Sequence, residues 1–97
     1  MSAGKFVGEG SFSWALALLK EGEKVARRGW NGKGMWLVLQ PTTPSVEMRE
    51  GSVYRKAGLK EVQIDGHIDV YTAQGTMQPG WLASQADLLA TDWEVVK

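Results

Sequence analysis

Apolar residues first recur with a clear period in FSWALALLK, where they are spaced three and four positions apart. This spacing predicts a short helix from about Phe12 to Lys20, with Ser11 as its N-cap and Gly22 after its end. Trp14 and Leu18 widen the apolar face beyond a single stripe. We therefore expect a sheet on one side of this helix and a second subunit on the other.

Several short segments later in the chain have the composition of β-strands, and Asn31-Gly32 is a strong signal for a tight hairpin turn. The run MWLVLQ is nearly all apolar, which predicts the central strand of a sheet. Pro41 ends that run. The predicted strands are Lys24–Arg28, Met35–Gln40, His67–Thr72, Thr76–Gln78 and Trp93–Val96.

Between Thr42 and Gly66 the periodicity is lost, and the segment contains proline, glycine and scattered charge. We interpret it as a long, variable, exposed loop at about 42–66. A loop of this length in so small a domain is usually functional or mobile.

A second helix is predicted near the end of the chain, in SQADLLA. Ser84 and Asp87 have the spacing of a capping box, and the helix would run from about Gln85 to Ala90. The elements together predict one α+β domain over residues 1–97, a small antiparallel sheet with two short helices. Because a domain of this size has a thin core, we expect it to assemble as a homo-oligomer.

Charge and composition exclude several functional classes. The chain has 97 residues, with eleven Lys and Arg against eleven Asp and Glu, and no cysteine. A protein that wraps nucleic acid needs a basic face, and a disulfide or thiolate metal site needs cysteine. No apolar run has the length of a signal peptide or a membrane span. The expectation is a cytoplasmic protein.

Five tryptophans are an unusual number for this length. They cannot all be enclosed in so small a core, because each ring is large and its indole N–H needs a partner. Some of them should line a pocket or an interface.

The stretch RRGWNGKGMW combines aromatic, cationic and glycine residues. It does not match a phosphate-binding loop, because no Ser or Thr follows Lys33. It could be only a hairpin, or it could offer the face of Trp30 to a base and polar contacts from Asn31. Arg27, Arg28 and Lys33 are then candidates for local phosphate counter-charge.

The stretch WLASQAD also has two interpretations. Ser84 and Asp87 fit a plain helix cap beside a buried Trp81, whereas Gln85 is left unexplained. A helix start is also a favourable position for a phosphate or ribose oxygen.

Asp65, His67 and Asp69 would share one face of a strand and could form a metal site or part of a hydrolase. They equally suit a solvated strand face, and no second cluster of ligands is evident. With no GxSxG motif and no paired-carboxylate signature, we expect no catalytic residues, no metal and no cofactor.

FSWALALLKEGEKVARRGWNGKGMWLVLQP and HIDVYTAQGTMQPGWLASQADLLATDWEVV together resemble the phage Thoeris anti-defence sponge family of the second type. The resemblance implies a phage-encoded, non-enzymatic protein of the host cytoplasm. Such a protein would bind and sequester a cyclic ADP-ribose signal, glycocyclic ADP-ribose, and so prevent activation of the Thoeris effector. The resemblance also implies a homotetramer with pockets at subunit interfaces. In some members it implies a separate cyclic dinucleotide site.

The resemblance assigns the ligand pocket, motif by motif, to a set of candidate residues. These are Trp30, Asn31, Trp81, Ala83, Ser84, Gln85 and Asp87. An alternative function, from a different class, is an adaptor that binds a host protein through its exposed aromatic residues and the 42–66 loop.

Overall fold

The computed structural model describes residues 7–30 and 32–97, which form antiparallel sheets with three short helices. The helices are α1 (Phe12–Lys20), α2 (Val53–Lys56) and α3 (Gln85–Leu89). The strands are β1 (Lys24–Arg27), β2 (Trp36–Gln40), β3 (Thr43–Glu47), β4 (Glu61–Ile64), β5 (His67–Tyr71), β6 (Met77–Pro79) and β7 (Trp93–Val96). Within the described ranges, no helix has the length and apolar character needed to cross a bilayer.

The main sheet has five strands in the order β6-β5-β2-β1-β7, and every neighbouring pair is antiparallel. The prediction that MWLVLQ supplies the central strand is confirmed, because β2 lies in the middle of this order. Its Leu37 pairs with Val25 of β1 and with Val70 of β5. These apolar residues therefore occupy one face of the sheet, since side chains alternate along each strand.

Helix α1 covers that face, and its bounds are the predicted ones. Ser11 caps it, with Oγ accepting a hydrogen bond from Trp14 N at 3.2 Å. Ala15 and Leu19 are fully buried against the sheet. The buried core consists of Ala15, Leu19, Val25, Leu37, Val70 and Trp93.

The opposite face of the sheet is marked by an aromatic stack. Trp36 and Tyr71, paired across β2 and β5, stack with ring centroids 4.8 Å apart and planes 13° apart. Lys24 Nζ lies 5.0 Å from the centroid of the Trp36 ring. Trp36 thus braces two strands on the side of the sheet away from α1.

Residues 43–64 form a projecting arm, which corrects the prediction that 42–66 is a loop without regular structure. Strands β3 and β4 pair with each other in a separate two-stranded sheet, and α2 lies between them. The arm supplies the third helix, where only two were predicted. The sequence pattern concealed β3 because the pairing register shifts between Thr43 and Val46, which breaks the two-residue alternation.

The arm extends away from the main sheet. The radius of gyration is 16.2 Å, whereas a compact chain of this length would have about 12.5 Å. The exposed arm begins and ends beside the sheet, where Gly66 N donates to Thr42 Oγ1 at 3.0 Å. Met48, buried between its strands and α2, accepts a hydrogen bond from Arg55 Nη1 at its carbonyl oxygen.

The connection between β1 and β2 spans residues 28–35 and joins two antiparallel neighbours in the sheet. The turn predicted at Asn31-Gly32 falls within this connection, and Asn31 itself lies outside the described residues. Gly29 N donates to Asp92 Oδ2 at 2.7 Å, and Arg28 N donates to Asp92 O at 3.0 Å. These bonds hold the start of the connection beside β7.

Candidate functional site

The segments RRGWNGKGMW and WLASQAD, distant in the chain, meet beside α1 in an aromatic cluster of Phe12, Trp30, Trp81 and Trp93. The ring centroids of Trp30 and Trp81 are 6.4 Å apart, with an interplanar angle of 59°. Trp93 lies edge-on to both of them, at 5.3 Å from Trp30 and 6.1 Å from Trp81. Phe12 of α1 completes the cluster, 5.4 Å from Trp93.

Trp93 is the buried centre of the cluster, whereas Trp30 and Trp81 lie at the accessible edge of the cluster. Trp93 is 2% exposed, and its indole Nε1 donates to the backbone oxygen of Asp87 at 3.0 Å. Trp30 and Trp81 are only half-buried. The two tryptophans of the motif segments are therefore held by a rigid neighbour while part of each ring stays accessible.

Asp87 caps helix α3 as predicted. Ser84 Oγ accepts from Asp87 N at 3.0 Å, and Asp87 Oδ2 accepts from Ser84 N at 3.0 Å. The capping box is therefore confirmed. Because the box uses only one carboxylate oxygen, the second oxygen of Asp87 is free for another role.

That second oxygen joins α3 to β1 and to the connection after it. Asp87 Oδ1 accepts from Arg27 Nη1 at 2.9 Å and from Trp30 Nε1 at 3.1 Å. Arg27 Nε also donates to Asp92 Oδ1 at 2.9 Å. We call Arg27, Asp87 and Asp92 the carboxylate network. One planar guanidinium thus binds two carboxylates, a geometry that lysine could not reproduce.

The network shifts the ionisation of its members. Burial raises the pKa of Asp87, but the hydrogen bonds from Ser84 N, Trp30 and Arg27 outweigh burial and lower this pKa from 3.8 to about 2. The hydrogen bond from Arg27 lowers the pKa of Asp92, and the two carboxylates raise the pKa of Arg27. All three groups are charged at neutral pH, so the network is an ion-paired cluster.

The three candidate cations divide into two kinds. Arg27 is held inside the carboxylate network with a side chain 19% exposed. Arg28 is largely exposed, with its Nε 4.0 Å from Glu94 Oε2, and Lys33 is exposed as well. A cavity of about 290 Å³ includes all three among its lining, together with Trp30 and Trp36. Arg28 and Lys33 are therefore the cations best able to meet an anion from solvent.

Two further candidates from WLASQAD flank the start of α3. Ala83 is half-buried, whereas Gln85 is exposed as the first residue of the helix. Asn31 lies outside the described residues. The structure brings Trp30 and Arg27 of the first segment together with Trp81 and Asp87 of the second at α3 and the aromatic cluster.

Trp81 also lines a larger cavity of about 680 Å³, formed by the end of β2, the start of β5 and the turn after β6. Gly80 has a φ of 83°, a left-handed conformation that glycine adopts readily, and it turns the chain after β6. Trp81 N then donates to Ile68 O at 2.7 Å, which holds Trp81 against β5. The lining residues are Leu39, Pro41, Thr42, Gly66, His67, Ile68, Gly80, Trp81 and Leu82.

His67 and Asp69 form a pair on one face of β5. His67 Nδ1 and Asp69 Oδ1 are 2.6 Å apart, and Asp69 is buried. Asp65, the third member of the metal site considered above, instead accepts from Gln63 Nε2 at 3.1 Å. Among the described residues, no three His, Cys, Asp or Glu side chains are grouped to hold a metal ion.

Sequence reasoning did not connect His67 with Trp81. The i, i+2 spacing of His67 and Asp69 indicated a shared strand face, but it could not indicate the cavity. That cavity exists because the turn at Gly80 brings Trp81 back against β5.

The site has the chemical groups that a flat, negatively charged ligand requires. The indole faces of Trp30 and Trp81 suit a heteroaromatic ring, and the nearby exposed cations suit phosphate. Both cavities lie near the size range of small-molecule sites.

Comparison with known proteins gives two matches. Residues 10–96 match the family model of the Thoeris anti-defense 2-like domain. The chain is also similar to a protein named Thoeris anti-defense 2 from Bacillus phage SP01, with 36% identity over 86 residues. That alignment covers 89% of this chain and 93% of the relative.

Proposed function

Because the chain belongs to the Thoeris anti-defense 2-like family, we propose that it counteracts Thoeris defence by binding and sequestering the immune signal. The proposed signal is a cyclic ADP-ribose isomer, glycocyclic ADP-ribose. The protein would act without cleaving the signal, inside the host bacterial cell, and so keep the Thoeris effector from being activated.

The observation that carries the proposal is the meeting of the two motif segments. Trp30 and Trp81 lie 6.4 Å apart at the accessible edge of the aromatic cluster, with Asp87 hydrogen-bonded to Trp30. A cyclic dinucleotide-like signal has a base that can stack on an indole face and a pyrophosphate that needs donors. Arg28 and Lys33, which line one cavity together with Trp30, can supply those donors.

The charge of the whole chain supports a small ligand over a polymer. The formal net charge is zero, and the cavity beside Trp30 is lined by two exposed cations, Arg28 and Lys33. A strongly basic sponge would be occupied by nucleic acid in the cell. Sequestration of a micromolar signal requires a Kd well below one micromolar, about −10 kcal/mol or better.

We further propose that the pockets are completed by subunit contacts in a homotetramer. Leu82, in the lining of the larger cavity, is 90% exposed, so one side of this cavity is open to solvent in the single chain. Tight binding of a small ligand generally requires most of its surface to be covered. A second subunit over this rim would provide that cover. A separate site for a cyclic dinucleotide also belongs to this proposal.

Sequestration is tested by recovery of the signal. The protein is incubated with glycocyclic ADP-ribose and filtered, and the filtrate is assayed by mass spectrometry before and after the protein is heated. Depletion of the signal followed by release of the intact molecule on heating supports the proposal. A permanently altered signal would instead identify an enzyme, and an undepleted filtrate would exclude binding.

The arm favours one alternative function, an adaptor that binds a host protein. Val53, Tyr54 and Leu59 are 72%, 48% and 42% exposed on the arm, an apolar surface that partner proteins recognise. Capture of one host protein from lysate by the wild type, but not by a Val53→Asp, Tyr54→Ala double variant, would favour the adaptor. Signal depletion that is equal for both proteins would favour the sponge.

A further inference from the structure

Asp92, the residue before β7, bonds to three consecutive residues at the end of β1 and the start of the connection that follows it. Its Oδ1 accepts from Arg27 Nε at 2.9 Å, and its Oδ2 accepts from Gly29 N at 2.7 Å. Its backbone oxygen accepts from Arg28 N at 3.0 Å. Both carboxylate oxygens and the carbonyl oxygen of one residue therefore hold the chain where it leaves the sheet.

Gly29 is the residue that allows this close approach. A Cβ atom at this position would lie 2.7 Å from Asp92 Oδ2, which is closer than non-bonded carbon and oxygen atoms pack. The φ of Gly29 is not positive, so glycine is needed here for the space that the carboxylate occupies and not for the backbone conformation. We call the bonds from Arg28 N and Gly29 N to Asp92 the Asp92 bridge.

The Asp92 bridge fixes the backbone directly before Trp30. Trp30 N donates to Arg27 O at 3.3 Å, which closes a turn over residues 27–30, and the indole Nε1 of Trp30 donates to Asp87 Oδ1. None of the described residues of the 28–35 connection lies in a helix or strand. The position of this connection therefore depends on a few separate hydrogen bonds, of which the Asp92 bridge contributes two.

The same connection forms one wall of the cavity of about 290 Å³ described above. Arg28, Trp30, Lys33 and Met35 all line that cavity. Asp92 is not among its lining residues, so a molecule bound in the cavity would contact the connection and not the carboxylate that holds it. Any influence of Asp92 on such a molecule would act through the position of the connection.

We propose that Asp92 is a positioning residue for signal binding, which holds the 28–35 connection of the free protein in the arrangement that the bound signal requires. This inference rests on the proposed function, because the signal is the ligand of the cavity. A segment that becomes ordered only when a ligand binds loses conformational entropy at that moment, and a segment that is already ordered avoids this cost. Asp92 therefore raises the affinity for the signal without contacting it.

The test removes the bridge in two independent ways. Asp92→Ala removes the carboxylate, whereas Gly29→Ala keeps it and places a Cβ where Oδ2 lies. Gly51→Ala on the arm is the matched control for the glycine substitution, because a Cβ there meets no atom within 4 Å and the φ of Gly51 is not positive. Val70→Ala, a substitution in the buried core, is the control for a general loss of stability.

Calorimetric titration with glycocyclic ADP-ribose measures the Kd of each protein at a temperature where its melting curve shows it to be folded. We expect Asp92→Ala and Gly29→Ala each to raise the Kd about tenfold, the effect of leaving roughly one residue of chain to be ordered on binding. Gly51→Ala and Val70→Ala should keep the affinity of the wild type.

Wild-type affinity in Asp92→Ala would overturn the inference while leaving sequestration intact. An equal rise in Kd for Val70→Ala would also overturn it, because lost stability and not lost position would then be the cause. If the wild type does not bind the signal, sequestration itself fails, and the inference fails with it.

A second measurement uses the wild type alone, so the inference stays testable if Asp92→Ala does not fold. The amide N–H of Gly29, which donates to Asp92 Oδ2, is followed by hydrogen exchange in the NMR spectrum of the ¹⁵N-labelled protein. We expect this amide to be protected from exchange in the free protein, before any signal is added. An amide that exchanges as in an unstructured chain, and becomes protected only with the signal, would show that the ligand and not Asp92 orders the connection.

Discussion

The indole Nε1 of Trp30 donates a hydrogen bond to Oδ1 of Asp87 at 3.1 Å, and this bond joins two segments that lie 57 positions apart in the chain. Asp87 simultaneously caps α3 through Oδ2 and pairs with Arg27 through Oδ1. One carboxylate thus supports a helix start, an ion pair and the orientation of a ring at the candidate pocket. The stability of the fold and the geometry of the pocket are therefore coupled at this residue.

Replacement of Asp87 by Asn should destabilise the protein by about 2 kcal/mol. The amide keeps the shape of the side chain, but it loses the charge that pairs with Arg27 and one of the acceptor oxygens. For a domain of this size the melting temperature should fall by roughly 10 °C. Thermal melts followed by circular dichroism measure this change.

Asp65→Asn is the matched control for that substitution. Asp65 is exposed and accepts one hydrogen bond, from Gln63. Its replacement should change stability by no more than about 0.5 kcal/mol. Equal effects of the two substitutions would mean that the carboxylate network contributes nothing specific.

Stability should fall in acid because of the same carboxylate. The folded-state pKa of Asp87 is about 2, below its ordinary value of 3.8. The contribution of Asp87 is therefore complete above about pH 5 and is lost as the pH falls from about 4 to 2. Asp92 acts in the same direction, because its pKa is also lowered.

Urea unfolding at several pH values checks this dependence. The wild type and Asp87→Asn should differ most at neutral pH, and their difference should shrink toward pH 2. A difference that stays constant from pH 7 to pH 2 would show that ionisation of Asp87 is not the cause.

Removal of the Trp81 ring should weaken signal binding strongly while the fold persists. Trp81→Ala should cost about 2 kcal/mol or more of binding free energy, roughly thirtyfold in Kd, if the base stacks on this ring. Tyr54→Ala on the arm is the control, since it also removes an exposed aromatic ring but lies away from the cluster. Calorimetric titration with glycocyclic ADP-ribose compares the two variants. Comparable affinity for wild type and Trp81→Ala would exclude Trp81 from the pocket.

Charge reversal at Lys33 or Arg28 should weaken binding with little loss of stability. Both side chains are exposed and line the cavity that contains Trp30, so they can meet the pyrophosphate of the signal. Lys33→Glu or Arg28→Glu should raise the Kd by about tenfold at low salt, and the effect should shrink as salt screens the charges. Lys56→Glu, an equal charge change on exposed α2, should leave the Kd unchanged. An equal rise in Kd for Lys56→Glu would show that the overall charge of the protein, and not a local site, controls binding.

The main sheet should fold without the arm. β3 and β4 pair with each other, and Thr42 and Gly66 are joined at the base by a hydrogen bond of 3.0 Å. Replacement of residues 43–65 by a short glycine-serine turn should therefore keep a cooperative melt and the near-ultraviolet signal of the packed tryptophans. Loss of cooperative melting would show that the arm stabilises the main sheet.

Local patterns in the sequence were sufficient to predict much of the fold. The bounds of α1, the central position of β2 and the capping box of Ser84 with Asp87 follow from periodicity and short-range hydrogen bonding. The arm was not predicted, because the register shift near Val46 obscures its alternation. The turn at Asn31-Gly32 stays a prediction, because Asn31 lies outside the described residues.

The same distinction between local sequence and tertiary structure applies to the candidate site. The amino-acid sequence by itself determined which residue types were present, namely surplus tryptophans, a few cations without a basic face, and two motif segments that resemble one family. Only the tertiary structure decided that Trp30 bonds to Asp87, that Arg27 is committed to two carboxylates, and that His67 shares a cavity with Trp81. The physical reason is the distance along the chain over which each kind of interaction acts. Helix caps and strand alternation depend on neighbours a few residues away, whereas a pocket depends on which distant side chains the packed sheet and helices bring within hydrogen-bonding distance.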